Sequence, residues 1–167
     1  MRRTIRTVTV ALAPWTEDDL PLVQALLGDP AMMEHLGGPE DPEKIVARHR
    51  RYVGSPGVFK IVVDGVGAGW VGFWEHEWQG EQIYEIGWSV LPGFQGRGLA
   101  TTGTRLALQE ARASDGPRAV HAFPTPDNGP SNAVCRKCGF TLLGEVDFEF
   151  PKGCWAVSND WFYDLSA

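Results

Sequence analysis

The residue types best suited to chemistry in this chain sit in one short run, Gln95-Gly96-Arg97-Gly98-Leu99-Ala100-Thr101. Two glycines without a Cβ let successive backbone N–H groups turn toward one point and let a bulky anion come close. A helical pattern opens at residue 98, so its first turn adds free N–H donors and the positive end of a dipole. Arg97 adds a full charge and a fork of donors. Together these features describe a cradle for a pyrophosphate at a strand-to-helix turn. Two common phosphate loops are excluded by spacing. The G-x-x-x-x-G-K-[ST] loop needs a lysine that is absent. The dinucleotide fingerprint would place its last glycine where Thr101 stands, and no acid follows about 20 residues on at the end of a second strand.

Three further groups carry candidate chemistry. In the strand pattern over residues 82–90, Glu85, Gly87 and Ser89 share one face, and Tyr84, Ile86, Trp88 and Val90 share the other. Glu85 thus lies beside small residues that leave room for a ligand, and it reads either as a proton acceptor or as a solvated strand carboxylate. His121 and Glu75 are alternatives for that role. Trp70 and Trp74 share a strand face, with Trp78 and Trp88 nearby; most of the seven tryptophans are expected in the core, with some lining an apolar acceptor pocket. Cys135-x-x-Cys138 invites a redox or zinc reading. The pair falls at the C-terminal end of a helix, where the dipole disfavours a thiolate, and further ligands are lacking, so core packing is expected and no metal site.

The elements that must position these groups follow from periodicity and turn signals. A first strand is expected over residues 4–12, and a helix starts at Thr16-Glu17-Asp18-Asp19 and ends at Gly28-Asp29-Pro30. A second helix runs over residues 42–52 from Pro42. Strands over 59–63, 68–77 and 82–90 form a meander turned by Asp64-Gly65 and Gln79-Gly80. A helix over 98–112, a strand over 119–123, a short helix near 130–138 and two long strands over 140–150 and 154–165 complete the chain. The order is β-α-α-β-β-β-α-β-α-β-β, an α+β class with a mixed, mostly antiparallel sheet of about seven strands and about four helices. No linker or repeat divides it, so residues 1–167 are read as one domain.

Composition bounds the partners. A length of 167 residues with 43% hydrophobic and 22% charged residues is that of a globular domain with a real core. A net charge of −6 without a basic block argues against nucleic acid. The 3 cysteines are too few for a secreted disulfide scaffold, the first residues lack a signal-type apolar segment, and no run is long enough for a membrane span, so a cytoplasmic location is expected.

Gln95-x-x-Gly98-x-Ala100, preceded by Val90-Leu91-Pro92, resembles the Q/R-x-x-G-x-G/A signature of the GNAT superfamily of N-acetyltransferases. The segment over residues 128–140 resembles that family's N-x-x-S/A-x-x-x-Y/L-x-K-x-G-F stretch, closest to the branch of ribosomal-protein and small-molecule amine acetyltransferases. The element order matches the GNAT fold, so the resemblance covers nearly the whole chain. It implies acetyl-CoA as cosubstrate, held by Trp88, Ser89, Val90, Gln95, Gly96, Arg97, Gly98, Leu99, Ala100, Thr101, Asn128 and Ser131. Asn128 would offer its amide to the pantetheine arm, although Asn128 and Ser131 also suit turn formation and capping. The fourth and fifth strands should splay after a bulge to admit that arm, leaving the Val90 N–H as oxyanion donor and Glu85 as base for direct transfer to a primary amine. Cys135 stands where many members carry a proton-donating tyrosine. A non-catalytic acyl-CoA sensor is the alternative. A homodimer paired through the last strands is one arrangement common among relatives.

Overall fold

The computed structural model describes residues 8–167, so the part of the first expected strand over residues 4–7 lies outside the described residues. Strand β1 is Val10–Pro14, and two helices follow it, α1 (Leu20–Leu27) and α2 (Pro42–Tyr52). Then come β2 (Val58–Val63), β3 (Val66–Trp78), β4 (Glu81–Val90), α3 (Leu99–Ala113), β5 (Ala119–Ala122), α4 (Gly129–Cys138), β6 (Thr141–Glu149) and β7 (Trp155–Asp164). This is the expected order. The strands form one seven-stranded sheet in the order β1-β2-β3-β4-β5-β7-β6. All neighbours are antiparallel except β4 and β5. The first strand was expected to stop at residue 12 but runs to Pro14. It lies at a sheet edge, where a proline costs no ladder hydrogen bond.

Local chemistry explains the boundaries. Asp64 and Gly65 have φ of 48° and 83°, and Gln79 and Gly80 have 51° and 83°, the paired left-handed geometry of tight hairpins. The first helix opens not as α but as a 3-10 turn over Glu17–Asp19, held by the Asp19 carboxylate, which accepts from Thr16 N at 2.7 Å and Thr16 Oγ1 at 2.9 Å. Gly139 ends α4 at φ 87°, as the left-handed cap requires.

Strand alternation divides the core in two. Val71, Phe73, Tyr84, Ile86, Val120 and Trp161 pack with Leu99, Ala107, Leu108, Ala111 and Cys135 of α3 and α4 on one face. Trp15, Val23, Leu26, Ile45 and Val58, joined by Trp70 and Tyr52, gather under α1 and α2 on the other. Among the described residues no helix is long and apolar enough to cross a membrane.

Helix α3 lies close against β2 because Gly103 faces Ile61. A Cβ at Gly103 would stand 2.7 Å from Ile61 Cδ1 and 2.9 Å from Cγ1, and Ile61 is fully buried. Gly103→Leu should therefore overpack this contact and cost about 1–3 kcal/mol in urea unfolding. Adding Ile61→Ala should recover part of that loss, a coupling that a double-mutant cycle measures directly.

Candidate functional site

Strand β4 is paired unequally on its two edges. Ten consecutive residue pairs join it to β3 without a register shift, from Gly69–Val90 to Trp78–Glu81. On its other edge it meets β5 only at Tyr84–Val120 and Glu85–His121. The strands therefore part beyond Glu85, as expected, but without the expected bulge: the register shifts lie between Ile61 and Val62 and between Leu142 and Gly144. Parity fixes which groups face the opening. Leu91 N donates to Ala68 O at 2.9 Å, which places Leu91 in a hydrogen-bonded pair with β3. Such pairs alternate, so Ser89 and Gly87 also turn their N–H and C=O toward β3. Trp88 and Val90 turn theirs toward the gap. The Val90 N–H thus points into the gap.

The cradle stands at the end of this gap. Gly96 and Gly98 have φ of 76° and 72°, flanking Arg97, and a Cβ at either would meet nothing within 4 Å. Glycine is needed there for the turn of the chain, and the space beside it is open. Among the described residues no acceptor takes the N–H groups of residues 96–101, and the first bond of the helix is Thr102 N to Gly98 O at 3.0 Å. These amides stand free at the N-terminus of the 15-residue α3, the positive end of its dipole. The side chains behave differently. Leu99 and Thr101 are buried, so only their main chain reaches the cradle. Gln95 Nε2 donates to Val90 O at 2.9 Å and fixes the end of β4 to the loop. Arg97 folds over the Phe94 ring, 5.5 Å from its centre, with Nη2 donating to Gly93 O at 3.3 Å.

Helix α4 closes the far side. Asn128 caps it, its Oδ1 accepting from Ser131 N at 3.2 Å, so the capping reading describes both residues in the free chain. Asn132, which the sequence reading passed over, is the hub of this region. It is buried, its Nδ2 donates to Thr125 O at 3.0 Å and Asn128 O at 2.8 Å, and its Oδ1 accepts from Asn159 and Trp161. Its signal was a polar residue three positions before the apolar Cys135, on the same helix face. Cys135 is wholly buried in the core, and burial pushes its thiol up to about 12. Cys138 is pushed up to about 11 by burial and donates to Thr101 O at 3.5 Å, tying α4 to α3. Both cysteines pack in or against the core.

On the opposite face of the sheet lies an aromatic surface. Trp15 and Trp161 are buried and Trp70 and Trp88 pack half-buried against the two cores, as expected of most of them, while Trp78 is half-buried and Trp74 and Trp155 are exposed. The room expected beside Glu85 is also occupied: a Cβ at Gly87 would stand 3.2 Å from Trp70 and 3.4 Å from Trp74, so both indoles lie across that glycine. Glu85 accepts from Trp74 Nε1 at 3.2 Å and lies 3.6 Å from His76 Nδ1. It is not a solvated carboxylate, since its side chain is 14% exposed. Burial pushes its carboxyl up to about 7, against the Trp74 hydrogen bond. His121 and Asp160 are buried beside it, with His121 Nδ1 2.5 Å from Asp160 Oδ1. Glu75, on the alternate face of β3, is exposed.

The family model for the acetyltransferase (GNAT) domain matches residues 9–141. The chain belongs to the GNAT acetyltransferase family. A curated relative of this GNAT protein, the uncharacterized N-acetyltransferase YnaD of Bacillus subtilis (strain 168), is 30% identical over 87 residues. The match covers 52% of this chain and 48% of YnaD, so the chain spans about half the length of that relative. Solved structures match over almost the whole chain. An acetyltransferase (GNAT family) from Bacillus anthracis has TM-score 0.80 at 22% identity, covering 95% of this chain and 96% of that one. Spermidine N-acetyltransferase from Vibrio cholerae, solved with CoA and spermine, has TM-score 0.74 at 17% identity, covering 94% and 96%. At such identities the likeness is one of fold. Acetyl-CoA is the cosubstrate that family membership supports, and relatives are seen with CoA bound.

The buried carboxyl gives this GNAT protein a pH-dependent stability. Folding raises Glu85 from its ordinary 4.5 to about 7, so the folded chain keeps a proton that the unfolded chain has lost. Its contribution is full below about 4.5 and is lost as the pH rises through about 7. Relative to Glu85→Gln, the native protein should lose on the order of 3 kcal/mol between about pH 4 and pH 8. Urea unfolding of both proteins at each pH measures the difference.

Proposed function

We propose that the protein transfers the acetyl group of acetyl-CoA directly to a primary amine. The observation that carries this reading is the row of unengaged main-chain N–H groups over residues 96–101, set at a helix mouth and opening onto the bare edge of β4. The diphosphate would rest on those amides, and the pantetheine arm would run beside Trp88 and Val90, whose N–H and C=O groups face the gap. This holds the thioester carbonyl near the Val90 N–H, which stabilises the oxyanion as the amine attacks. The C–N bond forms, the C–S bond breaks, the amine proton passes through intervening waters to Glu85, and the thiolate takes a proton from water.

Glu85 suits the base because its carboxyl titrates near neutrality, where a proton acceptor works best. Trp74, His76 and Trp78 around it favour an acceptor that arrives as a cation with an apolar body. The Vibrio cholerae relative seen with spermine is one example of such a ligand on this fold.

Gly98→Asp places a carboxylate in the anion site, and aspartate is among the residues that visit the left-handed region, so the loop should still form. Acetyl-CoA binding measured by calorimetry should weaken about 100-fold or more, equivalent to about 2.7 kcal/mol. Unchanged affinity would place the diphosphate elsewhere. In an assay of thiol release across a panel of amines, Glu85→Gln should lower kcat about 10²–10⁴-fold with acetyl-CoA affinity retained. A chain that binds acetyl-CoA but releases thiol with no amine is a coenzyme sensor instead.

A further inference from the structure

The transfer described above leaves a proton on a half-buried carboxyl, and a second buried pair lies at the same sheet position. Glu85 and His121 are partners in the last residue pair before β4 and β5 separate. Partners in a parallel ladder project to the same face, with strands about 4.8 Å apart. Both side chains therefore stand at the closed end of the gap, on the face away from α3 and α4.

His121 is held on one side only. Its Nδ1 lies 2.5 Å from Asp160 Oδ1, and Trp78 Nε1 donates to the other carboxylate oxygen at 3.4 Å. Asp160 is 3% exposed and His121 7%, so a charged Asp160 depends on the Nδ1 proton. In the tautomer that donates Nδ1–H to Asp160, Nε2 keeps a lone pair. Among the described residues nothing bonds to Nε2. The rings of Phe123 and Phe162 flank the imidazole at 5.9 Å and 5.5 Å and hold its plane. The ionisable groups facing this pair are Glu85 on β4 and His76 on β3, which is itself 3.6 Å from Glu85.

We propose that His121, positioned by Asp160, relays the proton that Glu85 receives. The N–H bond of the attacking amine breaks and its proton reaches a Glu85 oxygen through intervening waters. That O–H then breaks, its electron pair stays on the carboxylate, and the proton moves through water to His121 Nε2. The imidazolium rests beside Asp160 until it passes the proton to solvent or to the departing thiolate. Glu85 is thereby returned to its basic form for the next turnover. Asp160 acts through His121 and is a positioning residue.

The relay rests on the transferase reading, and its test separates the two. His121→Asn keeps a donor to Asp160 but cannot titrate. It should lower kcat about 10–100-fold at neutral pH with acetyl-CoA affinity and melting temperature unchanged, and added imidazole should restore activity in proportion to its concentration. Asp160→Asn should lower kcat as well, because it removes the counter-charge and reverses the tautomer. Nitrogen NMR of the free wild-type protein gives a readout that needs no activity: Nδ1 should carry the proton and Nε2 should not. Wild-type kcat in His121→Asn, a loss that imidazole leaves untouched, or a wild-type ring protonated at Nε2 would each overturn the relay. A wild type that releases no CoA with any amine overturns the transferase reading and the relay with it, whereas wild-type turnover with an insensitive His121→Asn removes the relay alone.

Discussion

The site depends on one strand having its hydrogen bonds met along one edge and left bare along part of the other. β4 is joined to β3 throughout its length and to β5 at two pairs only. Backbone N–H and C=O groups away from water need partners, and leaving one unpaired costs about 1–3 kcal/mol. Beyond Glu85, then, the free edge of β4 calls for an extended ligand bearing amide groups, or for water in its place. Gln95 meets that need at the Val90 carbonyl and in doing so sets the cradle at the end of the same opening. The gap and the cradle are consequences of a single interruption in pairing.

The electrostatics follow the same division. The chain carries a net charge of −6, yet the free amides and helix dipole at the start of α3 supply a local positive potential. Arg97 stands nearby but is folded onto Phe94. On the other side of the gap two carboxylates, Glu85 and Asp160, are set among aromatic rings, and each is kept there by an indole N–H.

Much of this was legible in the sequence. The order of elements follows from local periods and from turn pairs such as Asp64-Gly65 and Gln79-Gly80, whose backbone angles are fixed by residue type. The cradle was legible for the same reason: Gly96 and Gly98 carry their conformational meaning without reference to distant residues. What escaped depends on neighbours far away in the chain. The indoles of Trp70 and Trp74 lie over Gly87 because β3 brings them there, and alternation along β4 alone shows only an empty place. The burial of Glu85 arises in the same way. Asn132 was hidden because its partners, Thr125, Asn159 and Trp161, come from a loop and a strand that the helix pattern does not reveal. The missing bulge was an expectation taken from relatives, and here the strands separate by divergence alone.

A cradle built from peptide groups also has a history different from one built from side chains. Leu99 and Thr101 turn their side chains inward to the core, while their amides stay free at the helix start. Substitution at such positions alters packing without rewriting the recognition surface, so lineages of this fold can drift far apart in spelling and keep the same grip. What selection must protect is the path of the loop: its length, its two glycines and the point where the helix begins.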